Sequence, residues 1–144
     1  MTDSKYGKYI VTELKTDLFS PAAAAQYAEW ATRVLWLDEN VVEGAFQMNV
    51  SWYLKPNAGK NLAEPHVHDC EEIIGFFGSN PEDPYDLGGE VEFWLEDEKH
   101  LLTRSCLIFV PKGMKHCPLL ITRVDRPIFH FSTVTERQYQ PKSV

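Results

Sequence analysis

Apolar and polar side chains alternate along much of the chain from about residue 34 onward. The clearest example is the segment 46–54, FQMNVSWYL, in which every second residue is apolar. In a β-strand, a period of two places the apolar side chains on one face and the remaining ones on the other. The apolar face comprises Phe46, Met48, Val50, Trp52 and Leu54. We expect this face to form an inner wall of the fold.

Short segments of strand-like composition continue to about residue 134, with turn residues between them. They are EEIIGFF, EVEFWLE, HLLTRSCLIFV, HCPLLITRV and PIFHFSTV. Many short strands separated by turn residues are typical of a β-sandwich or β-barrel. The segment 55–61 predicts a turn after the first strand. The segment 78–89, with two prolines and three glycines, predicts a loop at a rim or lid.

One helix is predicted before the strands, over about residues 21–33. Ser20 can cap it, Pro21 suits the first helical position, and AAAAQYAEWATRV follows with good helix propensity. A chain of 144 residues fits one domain. We therefore predict a single domain over residues 1–144, with the barrel core at about 45–134. The polar tail from Glu136 onward is expected to be peripheral.

Charge and cysteine content narrow the classes of protein. The formal net charge of −7 disfavours a nucleic-acid partner, because binding to phosphates needs clustered Lys and Arg. No stretch approaches the ~20 apolar residues of a membrane span, and the first residues do not form a secretory signal. Three cysteines without CxxC spacing favour a reducing, cytoplasmic setting over a disulfide framework.

Candidate metal ligands stand out by their spacing. His66 and His68 are two apart, so both imidazoles project from the same face of a strand, and Glu72 follows in step. His116 comes much later, just after the turn PKGMK. Imidazole and carboxylate donors suit Mn, Fe, Co, Ni, Cu or Zn, and four of them leave a position for water or substrate. Alone, each residue has an ordinary alternative as a core histidine or a solvated acid.

The combined pattern His66-x-His68-xxx-Glu72 and Pro111-x-Gly113-xx-His116 resembles the paired motifs of the cupin superfamily. The resemblance covers roughly residues 45–134. It implies an all-β, double-stranded β-helix (jelly-roll) barrel, here with one N-terminal helix, and it implies that these two motifs supply the metal ligands. The turn has its own physical reason, because Pro111 ends a strand and Gly113 can take the positive φ that aims His116 inward.

The motifs depart from the usual cupin pattern at turn and packing positions. Lys60 stands where the first motif usually opens with Gly, with Gly59 one step earlier, and Ser79 replaces its closing Gly. Ser105 and Leu120 replace the opening Gly and the terminal Asn of the second motif. The four ligands themselves are all present.

Strand parity predicts which other residues surround the metal. The pocket candidates are Met48, Trp52, Phe76 and Leu120, and the cavity is expected to be mostly apolar, as small-molecule pockets usually are. The alternative is that these side chains fill the barrel as ordinary core. His130 is the candidate catalytic residue, as an acid/base or a partner of a ligand, with a partly exposed strand histidine as the alternative.

The sequence also predicts that the side chains of Cys117, Cys70 and Trp94 do not contact the metal. Cys117 should point away from it because it is adjacent to His116, and Cys70 also adjoins the ligand segment, so thiol ligation is not expected. Glu92, Trp94 and Glu96 share a face, which indicates an outer surface or a subunit contact for Trp94.

The resemblance implies a metal-dependent enzyme acting on a small organic molecule, as a dioxygenase, decarboxylase, isomerase or lyase. By resemblance, one divalent iron or manganese ion is favoured, with nickel, zinc, copper or cobalt as alternatives. A non-catalytic module that binds or senses a small molecule is the alternative function. A homodimer is a further expectation, since small cupins often dimerise.

Overall fold

A computed structural model describes residues 4–57 and 63–144 of the chain. Gly59, Lys60 and most of the predicted turn at 55–61 lie outside these ranges. The helices are a short 3-10 turn (Gly7–Tyr9) and α1 (Pro21–Ala28). The strands are β1 (Ala31–Leu37), β2 (Gln47–Tyr53), β3 (His66–Val67), β4 (Glu72–Phe77), β5 (Asp86–Leu95), β6 (Glu98–Arg104), β7 (Cys106–Val110), β8 (His116–Val124), β9 (Ile128–Val134) and β10 (Lys142–Ser143).

The strands form two five-stranded sheets that share one core. Their orders are β1-β2-β9-β4-β7 and β10-β3-β8-β5-β6, and all described pairings are antiparallel. Large side chains from both sheets are fully buried in this core, among them Phe76, Phe93, Val91, Ile121 and Ile128. The predicted all-β, jelly-roll class is confirmed. Within the described ranges, no helix has the length and hydrophobicity that crossing a membrane requires.

The helix begins where the sequence predicts and ends earlier. Oγ of Ser20 accepts a hydrogen bond from the backbone N–H of Ala23 at 3.1 Å, and Pro21 opens the helix. The prediction is wrong for residues 31–33, which lie in β1 and pair with β2. Pairing with a sheet satisfies the backbone groups of this segment, and the β-branched Thr32 favours the extended form, so tertiary context overrides a weak helix propensity.

The alternating strand β2 faces the opposite way from the prediction. Gln47, Asn49, Ser51 and Tyr53 are buried, whereas Met48, Val50 and Trp52 lie on the outer face and are only partly buried. Trp52 packs there edge-to-face against Phe129, with ring centres 5.2 Å apart. The expectation of an apolar inner wall from β2 is therefore wrong. The polar face turns inward because it lines a cavity, to which its side chains contribute hydrogen-bonding groups.

The segment 100–110 forms two strands of different sheets. The chain leaves β6 and enters β7 at Ser105, whose Oγ donates to the carbonyl of Pro84 at 2.6 Å and accepts from the N–H of Gly78 at 2.9 Å. These bonds fasten the predicted loop to the corner between the strands. The last part of that loop, 86–89, already belongs to β5.

One extra residue in β8 changes which side chains point inward. Leu95 pairs with His116 and Phe93 with Leu119, so two steps along β5 match three along β8. Cys117 has a φ of 73° at this bulge. Leu119 and Ile121 are consequently buried, and Leu120 lies on the outer face. The prediction that Leu120 faces inward with His116 is wrong because it assumed unbroken alternation.

Candidate metal centre

All four predicted ligands lie together between the sheets. His66 is in β3, His68 follows it directly, Glu72 opens β4 and His116 opens β8, where it pairs with His66. All four are buried, with no more than 7 % of any side chain exposed. Glu72 and His116, which are 44 positions apart in sequence and lie in different sheets, thus meet in the structure.

The turn before His116 has the conformation that the sequence predicts. Gly113 has a φ of 81°, which a residue with a side chain rarely adopts. The N–H of Met114 bonds to the carbonyl of Pro111 at 3.1 Å and closes the turn. The N–H of Gly113 donates to the carbonyl of His68 at 3.0 Å, which ties the turn to the first pair of ligands.

The donor atoms have the spacing of a metal coordination sphere. Nε2 of His66 and Nε2 of His68 are 3.1 Å apart, and Oε1 of Glu72 lies 3.3 Å from Nε2 of His68 and 2.9 Å from Nε2 of His116. All four donors fit within 4.8 Å of one another. Ligands at ~2.1 Å from one ion, in adjacent octahedral positions, are about 3.0 Å apart. These residues therefore fit a divalent transition metal.

The hydrogen bonds of the imidazoles also favour a cation among them. Nδ1 of His66 lies 2.6 Å from the carbonyl of Glu64, and Nδ1 of His116 lies 3.0 Å from that of Met114. A carbonyl only accepts, so we assign the proton of each neutral ring to Nδ1. Nε2 of His66 then presents a lone pair, and Nε2 of His116 faces Oε1 of Glu72 at 2.9 Å, a distance that either a proton or a metal ion can bridge. A metal ion at this position is ligated by both atoms.

Glu72 is a carboxylate rather than a carboxylic acid. Burial opposes its ionisation, but hydrogen bonds from His116 and His68 outweigh burial and lower the pKa of Glu72 to about 2. Burial also lowers the pKa of His66, which keeps this imidazole neutral and able to ligate. Glu72 and His66 thus have the ionisation states of metal ligands near neutral pH.

Tyr139 completes the site and corrects the expectation for the tail. Its hydroxyl donates toward Nε2 of His66 at 3.1 Å, and its ring centre lies 5.0 Å from that of His68. The tail reaches the site because β10 pairs with β3, which carries His66. The prediction of a peripheral tail is wrong. The one available signal was a lone aromatic residue in the polar stretch ERQYQPKSV.

A cavity of about 210 Å³ opens onto the ligands. His66, Glu72 and His116 line it, together with polar residues from both walls, among them Arg33, Gln47, Asn49, His130, Ser132 and Tyr139. Of the predicted pocket residues, Met48, Trp52 and Leu120 lie on outer faces and do not reach it. Phe76 lies in the core beside the cavity and does not line it. The lining surface of the cavity is mostly apolar, as the sequence indicated, although other side chains than the predicted ones provide it.

His130 lines this cavity in a neutral form. Its Nδ1 donates to the carbonyl of Gly75 at 3.1 Å, and its ring stacks against Tyr53 and against Phe76, with centres 4.8 and 4.9 Å away. Burial lowers the pKa of His130 to about 4. Its Nε2 is therefore available as a hydrogen-bond acceptor.

Cys117 lines the cavity, contrary to the prediction, because the bulge in β8 carries it inward with His116. Its thiol is free, burial raises its pKa, and it is not part of the four-donor group. Trp94 lies on the outer face of β5, as predicted, and its Nε1 donates to Oε2 of Glu92 at 2.9 Å.

Arg33 is another residue of the cavity that the sequence did not predict. It stands in the part of β1 that was predicted as helix, so its direction could not be anticipated. Its Nε donates to Oδ1 of Asn49 at 2.9 Å, and its side chain is partly buried in the cavity wall.

Comparison with known proteins identifies the fold. No family model and no curated protein matches the chain. A recombinant oxalate oxidase in complex with glycolate matches 93 % of this chain and 62 % of its own, with 11 % identity and a TM-score of 0.53. A double-stranded β-helix protein of Klebsiella pneumoniae subsp. pneumoniae MGH 78578 matches 90 % and 100 %, with 14 % identity and a TM-score of 0.50. A sugar phosphate isomerase from a cupin superfamily of Silicibacter pomeroyi matches 83 % and 68 %, with 15 % identity and a TM-score of 0.50.

These matches share the architecture of the two sheets. The chain therefore has the double-stranded β-helix fold of the cupins, as the paired motifs indicated.

Proposed function

We propose that this chain is a metal-dependent enzyme that acts on a small organic molecule. The observation that carries the proposal is a buried group of three imidazoles and one carboxylate at the wall of a cavity. A structural metal site is closed by its protein ligands, whereas a catalytic site keeps a position open toward a cavity. Solved proteins of this fold include an oxidase and an isomerase, which supports an enzyme without selecting the reaction.

In this proposal His66, His68, Glu72 and His116 hold one divalent transition metal, with iron or manganese favoured. When bound, the metal would polarise a substrate oxygen as a Lewis acid or activate dioxygen. These two kinds of chemistry suit the reaction of a dioxygenase, decarboxylase, isomerase or lyase. Neutral His130 accepts a hydrogen bond from the substrate through Nε2. Its low pKa makes it a poor base, so positioning rather than proton abstraction is its role.

Tyr139 restricts access to the open side of the site. Its ring packs against His68, and its hydroxyl lies beside His66. The cavity is small, so a substrate that fills it would displace bulk water from the reacting atoms, which strengthens the electrostatic effect of the metal.

Metal-dependent turnover of a metabolite tests the proposal. The protein is loaded separately with Fe²⁺, Mn²⁺, Ni²⁺ or Zn²⁺, incubated with a cell metabolite extract, and the extract is compared by mass spectrometry. With one of these metals, we expect the wild-type protein to consume one compound of the extract and to form a product. The variant His100→Ala should do the same, because His100 lies outside the site. The His116→Ala variant should be inactive. A metabolite that is retained unchanged would instead identify a binding or sensing protein.

The homodimer expected from the sequence is proposed on a different surface from Trp94. The outer face of the first sheet exposes Ile73, Leu107 and Phe109, at 41 %, 64 % and 60 %. Neighbouring strands β4 and β7 carry them, so they form one apolar patch. Light scattering should give the mass of a dimer for wild type and of a monomer for Phe109→Lys. Leu101→Lys, on the other sheet, is the matched control; a monomeric wild type would contradict the proposal.

A further inference from the structure

We infer that the substrate of this cavity carries a carboxylate group that pairs with Arg33. The inference rests on the proposed function, since it names the substrate class for the same cavity. Its basis is a guanidinium that the fold holds in place without an acidic partner.

Aromatic rings and one amide fix the position of Arg33. The guanidinium carbon lies 4.0 Å from the ring centre of Phe19 and 4.1 Å from that of Tyr27, so ring faces cover it. Its Nε donates to Asn49 at 2.9 Å. Tyr27 is itself held by a 2.7 Å hydrogen bond from its hydroxyl to Oγ of Ser51. The side chain is therefore preorganised.

The outer edge of the guanidinium is left for a ligand. Arginine has five N–H donors, of which Nε–H is used by Asn49. Throughout residues 4–57 and 63–144, no carboxylate forms an ion pair with Arg33. Keeping a partly buried cation without a counter-ion is costly unless a ligand provides one.

The charges around the cavity complement an anion. Glu72 is the acidic residue of the lining, and it is engaged by His68 and His116. A divalent ion there exceeds the charge of Glu72, so the metal and Arg33 both leave positive charge in the cavity. His130 and Arg33 both line the cavity, so the imidazole and the guanidinium face the same ligand.

A carboxylate fits better than a larger anion. With ring faces against its planes, the guanidinium offers its N–H edge, which matches the two coplanar oxygens of a carboxylate in a bidentate pair. The cavity volume of about 210 Å³ is below the ~300–1,000 Å³ of sites for drug-sized ligands. The structure therefore points to a small carboxylic acid with its other end toward the metal.

Calorimetric titration with matched probes tests the assignment. The probes are propionate, succinate and benzoate, each paired with its amide, together with methyl phosphate. They are titrated into metal-free and metal-loaded protein. We expect at least one carboxylate to bind more tightly than its amide in both forms. Arg33→Gln should weaken that carboxylate about 10- to 100-fold, the range of charged hydrogen bonds, and leave the amide unchanged.

Two further variants keep the test decisive. Arg104→Gln removes an exposed arginine that stacks on Tyr85 outside the cavity, and should have no effect. Asn49→Asp preserves the packing if Arg33→Gln does not fold, and supplies an internal carboxylate that competes at Arg33. It should therefore weaken the carboxylate and not the amide.

Three results would overturn the inference. They are equal affinity of every carboxylate and its amide, unchanged carboxylate affinity in both cavity variants, and tighter binding of methyl phosphate than of any carboxylate. Binding of a carboxylate through Arg33 by a protein that takes up no metal would refute the proposed function and leave this inference intact.

Discussion

Nε2 of His116, on β8, lies 2.9 Å from Oε1 of Glu72, on β4, and this contact joins the two sheets. His66 and His68 belong to the segment around β3, on the side of β8. A metal held by all four residues is bound by both halves of the sandwich. Metal binding should therefore contribute directly to the stability of the fold.

Metal removal is expected to lower the melting temperature. A ligand that binds only the folded state at 1,000 times its Kd stabilises it by about 4 kcal/mol, which for a chain of this size corresponds to roughly 10 °C. Thermal unfolding followed by circular dichroism, with saturating metal and then with excess chelator, measures the shift. The Glu72→Gln variant should show a much smaller difference; equal shifts in the two proteins would contradict a role of Glu72 in binding.

Metal content should depend on the histidines of the site and not on histidine in general. Wild-type protein purified without added metal is expected to hold about one transition-metal ion per chain by elemental analysis. The double variant His66→Ala/His116→Ala should hold almost none because it loses two of the four donors, from the neighbouring strands β3 and β8. His100→Ala, with a side chain far more exposed at 43 %, serves as the control. Full metal content in the double variant would exclude this site.

The hydroxyl of Tyr139 should influence the bound metal without being required for folding. With Co²⁺ as a spectroscopic probe, Tyr139→Phe is expected to change the visible absorption spectrum. It should not weaken metal binding, because the hydroxyl bonds the same lone pair of Nε2 of His66 that the metal needs. Competition with a chromogenic chelator measures the affinity. Tyr85→Phe, at an exposed tyrosine, should behave as wild type; an identical spectrum for Tyr139→Phe would place its hydroxyl outside the influence of the metal.

Burial of neutral His130 should make the fold sensitive to acid. Its pKa falls from 6.5 to about 4 on folding, so below pH 6.5 the unfolded chain binds the proton more readily. Above pH 6.5 both states are neutral and the effect vanishes. As the pH falls to about 4, this residue alone should lower the free energy of unfolding by about 3 kcal/mol.

Urea unfolding of metal-free protein at a series of pH values measures this dependence. His130→Asn keeps a side-chain N–H for the carbonyl of Gly75 and cannot titrate, so its stability should fall less steeply between pH 6.5 and 4. Parallel slopes for wild type and variant would show that His130 is not buried in its neutral form.

The ligands were predictable because the spacing of donor atoms is a local property. His66 and His68 follow from strand periodicity, and Gly113 follows from the conformation that the turn needs before His116. Alternation separates the two faces of a strand, but it does not determine which face turns toward the core. In β2 the rule that apolar faces turn inward fails, because Asn49 and its neighbours line a cavity while Trp52 packs outside.

Tyr139 and Arg33 could not be predicted for a related reason. Each reaches the site through strand pairing, β10 with β3 and β1 with β2. Tyr139 stands in a polar tail, and Arg33 in a segment whose composition favours a helix. Only the register of the sheets determines that both side chains enter the cavity.

The extra residue in β8 also determines how this chain can be compared with its relatives. Aligned straight through from His116, a protein without that residue would match its inward side chains to outward ones here, from Cys117 to Ile121, beyond which the register shifts again. Roles transferred position by position would be displaced by one. A single-residue gap at the bulge restores the correspondence, so homologous positions beyond His116 have to be assigned from structure.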